Sequence, residues 1–159
     1  MKNIIILASG NGTNYQYITD CISQLNLDIN IVALVCDKIN APVVQKAKDN
    51  KHRIIIRENK GQKRDRYDLE LVSDILNLNT NIDLVVLVGW MRILTNYFIN
   101  AFQNIINLHP ALPINEKLIC YLVCTLLGVS HIASTKASFW LTVNSVSKWF
   151  LPKHLQKVF

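Results

Sequence analysis

The chain has 159 residues, half of them hydrophobic, which is enough for one globular domain with a proper core and too few for two comfortable ones. Seventeen basic against eleven acidic side chains leave a formal charge of +6, but the excess is spread along the chain; this excludes the concentrated basic face of a nucleic-acid binder and leaves a general pull toward anionic small molecules. The longest apolar stretch, 118–129, falls well short of the ~20 residues a membrane-crossing helix needs, so no membrane partner is expected.

The opening residues, MKNIIILASG, carry a single lysine and an apolar run too short for a secretory leader; they read as a first strand. Apolar runs of strand length recur at 4–7, 31–35, 54–56, 84–88 and 105–108. Each is continuous and not alternating, as strands covered on both faces require. Helix-length stretches lie at 14–25, 41–51 and 65–78, and in the last Tyr67, Leu71, Ile75 and Leu78 recur at three- and four-residue steps. Strand and helix in repeated alternation predict an α/β fold, a doubly wound, mostly parallel sheet flanked by helices. The four cysteines, Cys21, Cys36, Cys120 and Cys124, have neither CxxC spacing nor a histidine pair beside them, so reduced thiols and no metal site are expected.

Ligands of such sheets bind beyond the carboxyl ends of the strands, which directs attention to three clusters. After the first strand comes SGNGTN, residues 9–14. Its glycines allow a tight turn, and the helix that follows aims the positive end of its dipole at the same place, so Gly12, Thr13 and Asn14 suit a phosphate. The same turn also occurs as plain punctuation, with Thr13 or Asn14 merely capping the helix. It lacks the GxGxxG spacing of a dinucleotide fingerprint, which disfavours NAD. At the fifth strand, Asn107 and His109 are two apart and share a face, offering an amide donor and an imidazole. A tetrahedral acyl-transfer intermediate needs those two groups, one to stabilise the oxyanion and one to pass a proton. The alternative is a histidine that closes a strand before Pro110 and bonds locally.

Taken together, SGNGTN at 9–14, RDRYDLEL at 64–71, VVLVGWMRIL at 85–94 and NLHPAL at 107–112 resemble, in order and spacing, the landmarks of the glycinamide ribonucleotide formyltransferases. The resemblance covers roughly the first 112 residues. It implies a Rossmann-like fold and the transfer of formyl from 10-formyltetrahydrofolate to the amine of glycinamide ribonucleotide in purine synthesis, in the cytoplasm and without a metal. On that pattern Gly12, Thr13 and Asn14 hold the substrate phosphate. Arg64 and the backbone of Met91, Arg92, Ile93 and Leu94 line the pocket for the pterin, although Arg64 reads equally as a solvated charge and 91–94 as core packing ahead of a helix. Asn107 then binds the formyl oxygen, and His109 is the proton donor and oxyanion stabiliser.

Beyond Pro113 the pattern is lost. In the family an aspartate downstream of the HP motif works with the histidine, whereas here no acidic residue follows Glu116. The expectation is a formyltransferase-like domain over 1–112, truncated at its C-terminal end, and a diverged or aberrant tail over 113–159, with activity impaired by the missing part. The other readings are an inactive remnant that keeps a folate or nucleotide pocket, or another folate-dependent formyltransferase or a formylfolate hydrolase. The phosphate loop argues against a tRNA substrate, because nothing else in the chain tracks a polynucleotide backbone.

Overall fold

In the computed structural model, which describes residues 1–102 and 104–108, all five apolar runs are strands of one parallel sheet. In chain order they are β1 (Lys2–Leu7), β2 (Ile29–Cys36), β3 (Ile54–Ile56), β4 (Leu84–Val88) and β5 (Ile105–Leu108), and they lie side by side as β3-β2-β1-β4-β5. The helices between them are α1 (Thr13–Gln24), α2 (Pro42–Asp49), α3 (Arg64–Leu76) and α4 (Asn96–Ala101). The predicted doubly wound sheet is therefore the observed one, with each predicted boundary within a few residues. The six-residue α4 was not anticipated, because it is too short to show a period; Thr95 starts it, its Oγ1 accepting the Phe98 N–H at 3.5 Å.

The strands are uniformly apolar because each has two faces to bury. Ile4, Ile6, Leu34, Val86 and Val88 pack with Tyr15, Ile18, Val43, Val44 and Ala47 of α1 and α2. Their sequence neighbours Ile5, Leu7, Val35, Val85 and Leu87 pack on the opposite side with Tyr67, Leu71, Val72, Ile75 and Phe98 of α3 and α4. The alternation of side chains along a strand thus sends consecutive isoleucines into two separate cores, and truncating any fully buried one to alanine is expected to cost about 2–5 kcal/mol.

The chain leaves β1 toward β2 and β3 on one face, then crosses through α3 to β4 and β5 on the other side of β1. The order reverses between β1 and β4, and a crevice opens there above the carboxyl ends of the two strands. At the far edge, Arg57 fastens the end of β3 to α3. Its Nε donates to Asp74 Oδ2 at 2.7 Å, its second guanidinium nitrogen to the same oxygen, and its third to Glu70 Oε2 at 2.9 Å. Of the two described cysteines, Cys36 is a buried free thiol as expected, but Cys21 is disulfide-bonded and not reduced, a pairing that the spacing gave no reason to expect.

Where α2 returns to β3, His52 meets α1: its Nδ1 lies 2.5 Å from the Tyr15 hydroxyl, with the rings edge to face. Burial lowers the His52 pKa, so the folded state favours neutral imidazole. Stability is therefore complete above the ordinary histidine value of about 6.5 and falls as the pH drops from there toward the lower folded value. In urea melts, the His52→Phe variant is expected to lose part of the decline in midpoint between about pH 7 and 5. A variant that retains the wild-type slope would show that His52 does not titrate in this way.

Candidate active site

Each strand that borders the crevice delivers one of the clusters singled out in the sequence. Beyond β1 the chain makes the turn of residues 9–12. Gly12 has φ +70°, a left-handed conformation open to glycine, and it lies so close to α2 that an added Cβ would sit 2.5 Å from Val43 Cγ2. The Gly12 carbonyl then accepts the first helical bond, from the Gln16 N–H at 3.0 Å, while the Gly10 carbonyl accepts the Val43 N–H at 3.2 Å. The loop is thus welded to α2 on its inner side and exposed on its outer side at Gly10, Asn11 and Thr13. The side chains of Thr13 and Asn14 make no hydrogen bond among the described residues, so neither caps α1. Among the described residues no side chain satisfies the first amides of the helix, and no acidic residue occupies its first turn. A cluster of unpaired N–H groups at a positive dipole end is what an anion requires.

Beyond β4, Gly89 (φ +70°) turns the chain into an irregular segment, 90–95. The core-packing alternative does not hold for its most apolar residues: Met91 and Ile93 are 74% and 71% exposed, and only Trp90 and Leu94 face the core. The Arg92 guanidinium lies 4.0 Å from the centroid of the Tyr67 ring, within cation–π range, which ties the segment to the start of α3. Burial pushes the Tyr67 phenol well above the ordinary tyrosine range, so it stays neutral and donates to the Arg57 carbonyl at 2.5 Å. Arg92 Nε, Trp90 Nε1 and Asp37 Oδ1 are buried without a hydrogen-bond partner among the described residues. Nor do the main-chain amides of Arg92, Ile93 and Leu94 find an acceptor there. Arg64, the first residue of α3, is exposed and forms no ion pair among the described residues.

The third cluster is brought alongside by register. Leu7 of β1 pairs with Leu87 of β4, and Leu87 pairs with Asn107 of β5, so Asn107 stands in the same transverse row, roughly 10 Å from β1. Ile105, two residues earlier, packs on the α3 and α4 side, and Asn107 shares that face with Trp90; its side chain is exposed at the carboxyl edge. His109 lies outside the described residues, as do the sequence boundary at Pro113 and the tail.

Two residues of the sequence motifs to which no role was assigned join these clusters. Ser9 is 2% exposed; its N–H donates to the Gly89 carbonyl and its Oγ accepts the Met91 N–H, both at 3.2 Å, which stitches the first turn to the segment after β4. Asp68 is 1% exposed on α3, and its Oδ2 accepts the Thr95 N–H at 2.6 Å. A signal for Asp68 was present: a carboxylate falls on the apolar stripe of α3, one and two turns ahead of Leu71, Val72 and Ile75.

A parallel sheet that reverses its order at β1 and β4, with a glycine turn ahead of α1 beside a segment whose 92–94 amides have no acceptor among the described residues, makes this a doubly wound α/β domain with its crevice at the switch point. Residues 2–114 match the family model "Formyl transferase", and the chain belongs to that family. It is 37% identical over 125 residues to the phosphoribosylglycinamide formyltransferase of Dictyostelium discoideum, covering 70% of this chain and 60% of that one, and 31% identical over 113 residues to that of Bacillus subtilis, covering 70% and 57%. Among solved structures it superimposes on the phosphoribosylglycinamide formyltransferase of Bacillus halodurans with a TM-score of 0.64 at 31% identity, covering 70% of this chain and 58% of the other. The chain therefore spans about 60% of the length of the relatives it matches. Among the described residues, no helix is long and apolar enough to cross a membrane, and no group of side chains could hold a metal ion.

Proposed function

We propose that the chain binds glycinamide ribonucleotide and 10-formyltetrahydrofolate in the β1/β4 crevice and moves formyl from the folate to the ribonucleotide amine, as a cytoplasmic step of purine synthesis. The observation that carries this reading is the row Leu7, Leu87, Asn107: the turn, the 90–95 segment and the catalytic strand end side by side, within the reach of two small molecules held together. The substrate phosphate takes the amides ahead of α1 together with Thr13 and Asn14. The main-chain amides of 92–94, without an acceptor among the described residues, suit the polar edge of a pterin, with Met91 and Ile93 as apolar cover and Arg64 available to a carboxylate. The formyltransferase-like part is residues 1–112, in keeping with a family match that ends at 114, and the remainder is a diverged tail.

In the reaction, the amine nitrogen attacks the formyl carbon and the carbonyl oxygen becomes an oxyanion. Asn107 donates its amide N–H to that oxygen, and His109 as imidazolium balances the charge and gives its proton to the folate nitrogen as the old C–N bond breaks. The attacking nitrogen loses a proton to water, and formyl ends on the substrate amine. The protein positions two molecules and stabilises charge that exists only in transit.

A second reading has one observation in its favour: no acidic residue follows Glu116 in the given sequence, and a pocket whose histidine had no carboxylate to orient and charge it would bind without chemistry. A coupled assay following loss of 10-formyltetrahydrofolate, run beside calorimetric titration of each substrate, separates the two. Turnover above that of a His109→Ala control supports the enzyme. Binding without turnover supports the module, and silence in both measurements rejects each of them.

A further inference from the structure

A carboxylate buried on the apolar face of a helix is costly, and a leucine at position 68 would pack without that penalty. Asp68 has no ion pair among the described residues, and its one hydrogen bond leads out of the core to the Thr95 N–H, 2.6 Å away. Ser9 makes the matching contact at the other end of the same segment, its buried hydroxyl accepting the Met91 N–H. The stretch between carries no regular secondary structure, its apolar side chains Met91 and Ile93 face outward, and its amides at 92–94 have no acceptor among the described residues. Left to itself such a segment would sample many conformations, and ordering it on binding would weaken any ligand it holds.

We propose that Ser9 and Asp68 are positioning residues that clamp segment 91–95 from its two ends, so that the folate subsite is already formed before ligand arrives. This rests on the reading that the folate lies against 91–94. Ser9 also begins the 9–12 turn, but the bonds that hold that turn, the Ser9 N–H to the Gly89 carbonyl and the Val43 N–H to the Gly10 carbonyl, are main-chain bonds that Ser9→Ala leaves in place, so the hydroxyl serves the 91–95 segment alone.

The test uses the full chain and the variants Ser9→Ala, Asp68→Ala and Asp68→Asn. Amide hydrogen exchange reads the clamp without any ligand. In wild type the Met91 and Thr95 amides are expected to exchange slowly and those of 92–94 fast; Ser9→Ala releases Met91, Asp68→Ala releases Thr95, and Asp68→Asn, which keeps an acceptor oxygen, releases neither. Calorimetry then compares 5,8-dideazafolate with glycinamide ribonucleotide. Each alanine variant is expected to lose about tenfold in affinity for the folate analogue, with ribonucleotide affinity within about twofold and Asp68→Asn close to wild type. Equal losses for both ligands, or Asp68→Asn behaving as Asp68→Ala, would mean general destabilisation and overturn the proposal. Unchanged exchange at Met91 and Thr95 overturns it as well. A wild-type chain that binds neither ligand sinks the formyltransferase reading, while the exchange pattern still decides the clamp.

Discussion

Replacing Gly12 with alanine is expected to lower stability by about 2–4 kcal/mol and to eliminate measurable binding of glycinamide ribonucleotide. Two costs add. The left-handed backbone at φ +70° disfavours any Cβ by about 1–2 kcal/mol, and the new carbon would lie 2.5 Å from Val43 Cγ2, 2.7 Å from its Cβ and 3.0 Å from its Cα. No rotamer change relieves contact with a Cβ and a Cα, so α2 itself must move. The Val43 N–H is bonded to the Gly10 carbonyl, and a shift of α2 therefore drags the 9–12 turn with it. Urea denaturation and calorimetric titration check both halves of the expectation. Gly10→Ala, at a position where an added Cβ meets nothing within 4 Å, is the control and should stay within about 0.5 kcal/mol of wild type. In the double variant Gly12→Ala with Val43→Ala, the overlap with Cγ2 goes while the backbone strain stays, so stability should recover only in part. A Gly12→Ala chain as stable as wild type would refute the close-packing account.

The second large effect is expected at Asn107. Asn107→Ala should reduce turnover about 10²- to 10³-fold while leaving the KM of both substrates within about twofold and stability within about 0.5 kcal/mol. The stability half follows from exposure: the Asn107 side chain stands at the carboxyl edge and packs into neither core. The catalytic half follows from the role, since a donor aimed at an oxyanion acts only while that oxygen carries charge. His109→Ala should be at least as damaging, because it removes the proton donor as well as a positive charge. Kinetics on the formylfolate-consuming reaction, with urea melts of the same samples, decide the matter. If Asn107→Ala retains full turnover, Asn107 is not the oxyanion donor; a rise in KM with unchanged kcat would make it a ground-state binding residue instead.

Much of this fold was legible in the sequence because its strands are extreme cases. Ile4, Ile5, Ile6 and Leu7 are all fully buried, a state that a continuous apolar run announces directly, and 84–88 are buried throughout. The glycine turn was legible for a similar reason: a left-handed residue between strand and helix needs glycine, and Gly12 is one. Asn107 could be named because alternation along a strand is local knowledge. The exposure of Met91 and Ile93 could not be read, because apolar residues after a buried strand look the same whether they continue the core or line an open crevice. The disulfide at Cys21 was likewise invisible, since pairing depends on distances in space and not on spacing in the chain.

The sequence by itself determined the five strands, the alternation that makes them a parallel sheet, the family and the three clusters at the strand ends. Those features rest on local patterns of burial and on residues that only certain backbone conformations accept. What only the tertiary structure decided is how the clusters are joined: the Leu7, Leu87, Asn107 row, the Ser9 hydroxyl on the Met91 amide, and Asp68 reaching Thr95 from a helix 27 residues earlier in the chain. Such contacts follow from strand order and register, which are set by how two cores fill on opposite faces of the sheet, and no stretch of sequence read alone contains that information.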